Sequence, residues 1–259
     1  MPVMEVEQSE ASRKIIDQWN TQPLLNPSWD AFVRVWPQMV AGMLIMVAIG
    51  AVSAVVDFIF SDAEGVRLFF KIVFFVFQAV VQLGLYQISL KGILGVEATM
   101  SDLFDRWKDA GKYLFSCLML GIMMGFIYLA VALFLPVLVR DYKLLAFLVL
   151  VGPAFYMIVR FGLFGYFMID QEMGPFASLK SSWVYTADCQ ARVMINVALM
   201  GAVVLAGALL FGVGLVVAVP LAHTILARTY RDVVVNCQGL SLVRSTSENG
   251  RRGDQPEVS

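Results

Sequence analysis

The sequence predicts an all-α integral membrane protein: six transmembrane helices as three hairpins, each preceded by a short interfacial helix that carries a tryptophan. Three observations predict it. Of 259 residues, 59% are hydrophobic and 15% charged, against about 45–50% and about 25% in an ordinary soluble domain. Charges vanish from several windows long enough to cross a bilayer, and the mean hydropathy is +0.75. A segment ending in tryptophan recurs ahead of every second window. This composition excludes a disordered chain and a nucleic-acid-binding module with a basic surface, and it argues against a water-soluble enzyme.

Residues 1–26 carry acids, polar residues and Pro23. They lack the apolar stretch and small-residue cleavage site of a signal peptide, so they read as a flexible cytoplasmic N-terminus. The membrane domain follows over 27–237. Its first window runs from Met39 to Val56, the second from Ile72 to Leu90, and the third from Tyr113 to Val139. The fourth starts at Leu144 and meets only Arg160 before Asp170. The last, Val193 to Ala227, holds 35 residues, with His223 alone among the ionisable types. A hydrocarbon core of about 30 Å takes roughly 20 helical residues. Thirty-five would reach about 52 Å, so the window divides at Phe211-Gly212-Val213-Gly214, giving six spans. Residues 238–259 read as a polar, disordered cytoplasmic tail, in which Arg252-Gly253-Asp254 is a chance match to an integrin ligand.

The recurring segments are Ser28 to Trp36, Ser101 to Lys108 and Pro175 to Trp183. Each has an apolar residue four positions before its Trp: Phe32 and Trp36, Leu103 and Trp107, Leu179 and Trp183. In a helix that spacing places both on one face. Ser or Asp caps the first turn, Pro175 suits a first helical position, and Trp belongs at the headgroup level. Trp36, Trp107 and Trp183 are therefore expected as interfacial anchors of an internal repeat, in units of about 28–95, 101–172 and 175–237. Tyr86, Tyr166 and Tyr230, near the ends of the units, fit aromatic belts.

Six spans put both termini on one face with the loops after spans two and four. That face collects fifteen of the 19 Lys and Arg residues; Arg67, Lys71, Arg140 and Lys143 take the other. The positive-inside rule makes the richer face cytoplasmic. Cys117, Cys189 and Cys237 show no paired spacing, so neither a disulfide framework nor a metal site is expected.

Asp102 to Lys108 resembles a family of bacterial six-helix inner-membrane proteins of uncharacterised function. So do Arg160-Phe161, Asp170 to Gly174, Ala177 to Trp183, Gly212 to Pro220 and Tyr230-Arg231-Asp232. That family is similar to the membrane domain attached to some glycerophosphoryl diester phosphodiesterases. The likeness covers roughly residues 26–236 and implies a multi-pass inner-membrane fold. Six spans in 259 residues leave no room for the catalytic barrel that some relatives carry, so the hydrolase activity is not expected here.

Ionisable residues inside spans are costly and are functional candidates by default. Arg160 reads as a side chain that snorkels or pairs with a loop acid, or as a contact to a lipid phosphate. His223 reads as a hydrogen-bonded core histidine, or as a proton relay. Gln78 and Gln82 share one face of span two and read as glue between helices, as does Asn196, or as lining of a polar path. Arg160, His223, Gln78 and Gln82 are thus the candidate lipid or substrate contacts. The Gly121/Gly125 pair and the Ala198, Ala202 and Ala206 ridge are expected to pack inside the bundle. No catalytic motif, cofactor or metal is expected. The leading expectation is a non-enzymatic accessory or scaffold protein that engages membrane lipid, a protein partner or a second copy from the cytoplasmic side. The alternative is a small transporter or channel.

Overall fold

The structure is a computed structural model, and it describes residues 25–138, 143–210 and 214–253. Every regular element among them is helical. α1 (Leu25–Ile59) and α2 (Glu64–Leu94) come first, followed by two 3-10 turns, Met100–Leu103 and Trp107–Asp109. α3 (Ala110–Leu138), α4 (Lys143–Phe161) and the short α5 (Phe164–Asp170) follow. α6 (Pro175–Asp188), α7 (Gln190–Leu209) and α8 (Leu215–Gly253) complete the described elements. Among the described residues, five stretches are long and apolar enough to cross a membrane: α1, α2, α3, the α4–α5 stretch from Val151, and α7.

The three tryptophan segments take three different forms, where one short interfacial helix each was expected. The first is the opening of α1, which runs 35 residues without a break and keeps Pro37 inside it. Between Trp36 and Met39 no glycine or turn residue offers a stop, and proline costs the helix one donor rather than ending it here. The second is the pair of 3-10 turns. The third is a true helix, α6, with Pro175 in its first turn as expected, but its N-cap is Gly174 and no side chain caps it. The fourth window is also divided, since helix stops at Phe161 and restarts at Phe164. The long fifth window divides as expected, between Leu209 and Leu215. There Gly207 lies so close to Gly214 that a Cβ would meet its carbonyl at 2.9 Å. Helix continues through 238–253, where composition suggests a disordered tail; residues 1–24 and 254–259 lie outside the described residues.

α1 packs along α2, α7 along α8, and α8 also lies against both α1 and α2. α3 and α4 touch their neighbours less. The buried side chains concentrate at one end, which holds the first turns of α1, the last turns of α2, all of α5 and Ala222 to Val234 of α8. Leu83, Tyr86, Leu163, Tyr166, Phe167 and Tyr230 form its centre. Toward the opposite end the helices expose Val47, Val55, Phe58, Leu68, Phe69 and Phe126. Such surface is stable only in an apolar solvent.

Two packing expectations are corrected. A Cβ on Gly121 or Gly125 would have nothing within 4 Å, and Ala198, Ala202 and Ala206 are all exposed. Both stripes of small residues lie on the outside, because spacing of four defines a face without saying what covers it. Close backbone approach occurs instead at Gly84, where a Cβ would lie 2.3 Å from the Leu103 carbonyl oxygen, and at Gly207.

Candidate functional site

The polar and aromatic chemistry gathers at the packed end, and three arrangements make it up. The first surrounds the tryptophans. Counting from each Trp, the positions five and four before it are buried in all three segments: Ala31 and Phe32, Asp102 and Leu103, Ser178 and Leu179. The position three after it is buried too, as Met39, Ala110 and Thr186. Trp36, Trp107 and Trp183 themselves are 52%, 63% and 39% exposed. The apolar residue and the Trp thus face different surroundings, inward and outward, although sequence spacing had put them on one face. Helix α1 and the 3-10 turns reach the same burial order through different backbones.

The second arrangement is a cluster of tyrosines. Tyr86, Tyr166 and Tyr230, expected in aromatic belts, are instead buried together. Tyr86 meets Tyr166 at 4.8 Å between ring centroids, and Tyr166 stacks on Tyr230 at 5.6 Å. Tyr113 adds an edge contact to Tyr86 at 6.2 Å. A buried phenol needs a partner for its O–H. Tyr166 donates to the His223 carbonyl at 2.9 Å, and Tyr230 donates to Asp170 at 2.6 Å. His223 sets its ring edgewise on Tyr86 at 5.5 Å, and its Nδ1 is buried without a hydrogen-bond partner. His223 is partly buried, and its ring rests on Tyr86 while Nδ1 lacks the expected hydrogen bond. Gln82, one turn before Tyr86, interacts with the same hydroxyl; Gln78 is half-buried a turn further on.

The connection after α2 folds back into this end. Gly95, at φ +71°, closes α2, a left-handed position that suits glycine. The Val96 amide donates to the Lys91 carbonyl at 2.9 Å. Leu103 then packs between α1 and α2 with Val35, Met39, Val81, Leu85 and Ile88. Asp102, only 3% exposed, accepts from Lys91 Nζ at 2.7 Å and from the Thr99 amide at 2.7 Å. Burial pushes its carboxyl up, but Lys91 and Thr99 outweigh that and hold it below the usual carboxylate range. From sequence Asp102 was expected only as a residue able to cap a first helical turn. The signal that could have found it is Lys91 standing just before the glycine that turns the chain back.

The third arrangement holds Arg160, in the last turn of α4. It is 5% exposed, and its guanidinium carbon lies 3.9 Å from the centre of the Trp183 ring and 6.0 Å from that of Tyr156. Ser182 and Thr186 of α6 donate to the Arg160 carbonyl at 2.8 and 3.3 Å. The segment before the fifth window thereby fixes the end of the fourth. Arg160 is mostly buried and pairs with no acid among the described residues, so the pairing with a loop acid expected of it is corrected.

The structure thus brings Gln82 and His223 together at Tyr86. Arg160 sits apart on Trp183, with no hydrogen bond or ring contact joining the two places. Asn196 donates to Thr229 at 3.0 Å and ties α7 to α8, the gluing role expected of it. A groove of about 390 Å³ between α3 and α4 is lined by apolar side chains, including Leu120, Met124, Met157 and Phe161. Among the described residues no group of three or more metal-ligating side chains assembles. Compared with family models, curated proteins and solved structures, the chain matches none.

Proposed function

We propose that the chain is a non-enzymatic, multi-pass accessory or scaffold protein of a bacterial inner membrane, acting from the cytoplasmic side on lipid or a protein partner. The observation that carries this reading is the shared location of its polar chemistry. The three exposed tryptophans, the Lys91–Asp102 pair and the Arg160–Trp183 stack belong to the packed end, which also bears most of the cations. In the same reading α8 is the sixth span, the helices pair as three hairpins, and the units are repeats whose burial order matches around each Trp. The resemblance to bacterial six-helix inner-membrane proteins belongs to this proposal.

In-cell crosslinking followed by purification of the full chain tests it. A scaffold recovers one defined protein partner, a second copy of itself or a specific lipid. A chain that recovers none of the three is not a scaffold. The transport reading draws on the unpartnered Nδ1 of His223 beside Gln82, yet a path through Arg160 would need that residue in the same place, and it is on Trp183.

A further inference from the structure

Among the described residues no acid pairs with the charge of Arg160. Its Nε is buried and makes no hydrogen bond. One face of the guanidinium is covered by Trp183 at 3.9 Å. Stacking on an indole offsets part of the cost of desolvating a cation, and the end of α4 adds the negative pole of a helix. Neither supplies an oxygen to accept the N–H groups, of which a guanidinium has five. Leaving donors and a full charge buried without such a partner is costly.

The immediate surroundings are built for holding the side chain in place. Ser182 and Thr186 clamp the Arg160 backbone through its carbonyl. Tyr156 and Phe161 brace the Trp183 ring at 6.1 and 5.3 Å. Trp183 is 39% exposed, so the stack borders the molecular surface. Tryptophan at such a surface favours headgroup depth, and basic pockets between helices at the cytoplasmic leaflet bind phosphate headgroups. The planar guanidinium fork matches two phosphate oxygens at once.

We propose that Arg160, stacked on Trp183, is a phosphate-binding site occupied by the headgroup of an anionic membrane phospholipid. This deepens the scaffold reading by naming a ligand class, and the two fail separately: a chain with a protein partner and no lipid preference keeps the scaffold and loses the site.

Native mass spectrometry of the full chain, delipidated in detergent, tests the site with phosphatidylglycerol, phosphatidylcholine and inorganic phosphate as separate probes. The wild type binds one phosphatidylglycerol in preference to phosphatidylcholine. Arg160→Gln weakens that binding about tenfold or more, the effect of losing charge-assisted hydrogen bonds. Lys180→Gln, which removes an exposed cation from the helix that carries Trp183, leaves it unchanged. Binding of inorganic phosphate that depends on Arg160, without a lipid preference, assigns the site to a free anion and overturns the lipid part. Equal phosphatidylglycerol binding by wild type and Arg160→Gln overturns the whole proposal, as does a wild type that binds neither phosphatidylglycerol nor inorganic phosphate. Should Arg160→Gln fail to fold, Trp183→Phe decides by the same comparison: a several-fold loss supports the stack and an unchanged affinity overturns it.

Discussion

At the scale of single residues, glycines separate positions where backbone meets backbone from positions that face open space. A methyl group on Gly84 would fall 2.3 Å from the Leu103 carbonyl oxygen and 2.4 Å from its Cα. Backbone cannot swing aside as a side chain can. Gly84→Ala should therefore push the 100–103 turn off α2 and destabilise the fold by about 1–3 kcal/mol, the range for overpacking. Gly121→Ala meets nothing within 4 Å and should be neutral or stabilising by up to about 1 kcal/mol, because alanine is the better helix former. Thermal unfolding of both variants in one detergent checks the pair, and equal melting temperatures would refute the packing argument. The contrast explains why the Gly121/Gly125 pair was misread from sequence. Periodicity identifies Gly121 and Gly125 as one helical face, but only the connection from Gly95 to Asp109 decides which glycine receives a neighbour. Arg160 was legible as an exceptional residue because charge is scarce around it. Its platform was not, since Trp183 lies 23 positions away on an element whose docking depends on Ser182 and Thr186.

At the scale of elements, the connection between α2 and α3 behaves as a plug held by one ion pair. Lys91 and Thr99 both serve the Asp102 carboxylate, at 2.7 Å each, and Leu103 beside it fills the space between α1 and α2. Asp102→Asn keeps the shape and removes the charge, leaving Lys91 without its partner. We expect a loss of about 1–3 kcal/mol, the cost of an unmatched charged hydrogen bond, and faster proteolysis within 95–109. The sign with pH follows from the depressed carboxyl. Its stabilisation is complete above the unfolded value of about 3.9, and is lost as pH falls through the lower folded value. An acid titration of the melting temperature should fall less steeply in Asp102→Asn than in the wild type; superimposable curves would count against the pair. The recurring Trp segments show how far local pattern reaches. The recurrence of an apolar residue four before each Trp was visible, but its opposite exposure from the Trp was not, because that spacing puts both on one helical face. Nor was the backbone that realises it, because helix α1, the 3-10 turns and helix α6 are selected by contacts with other parts of the chain. Tyr86, Tyr166 and Tyr230 show the same limit: their recurrence near unit ends was plain, yet belt and core positions differ only in what packs against them.

For the whole molecule, an all-helical membrane fold was legible because it follows from where charge is absent, and hydrocarbon thickness sets that length. The number of crossings is harder, because it turns on α8. From Leu215 to Ala227 that helix offers 13 uncharged residues, about 20 Å of helix, before Arg228, Arg231 and Asp232. Arg228 pairs with Asp232 at 3.0 Å, and arginine at the end of an apolar run can snorkel to the interface, which lengthens the effective span. Packing against α7 buries Thr229, which accepts from Asn196. If α8 crosses, six spans return the chain to the face it started from, and the fifteen-to-four division of Lys and Arg makes that face cytoplasmic. If α8 lies along the surface, five spans leave the termini on opposite faces. Reporter fusions at each terminus, one pair active only in the cytoplasm and one only outside it, separate these cases. We expect both ends to score as cytoplasmic, and a cysteine placed at Asp62, between α1 and α2, to react with an impermeant thiol reagent in intact cells. A C-terminal reporter that is active only outside would remove α8 from the spans and, with it, the third hairpin.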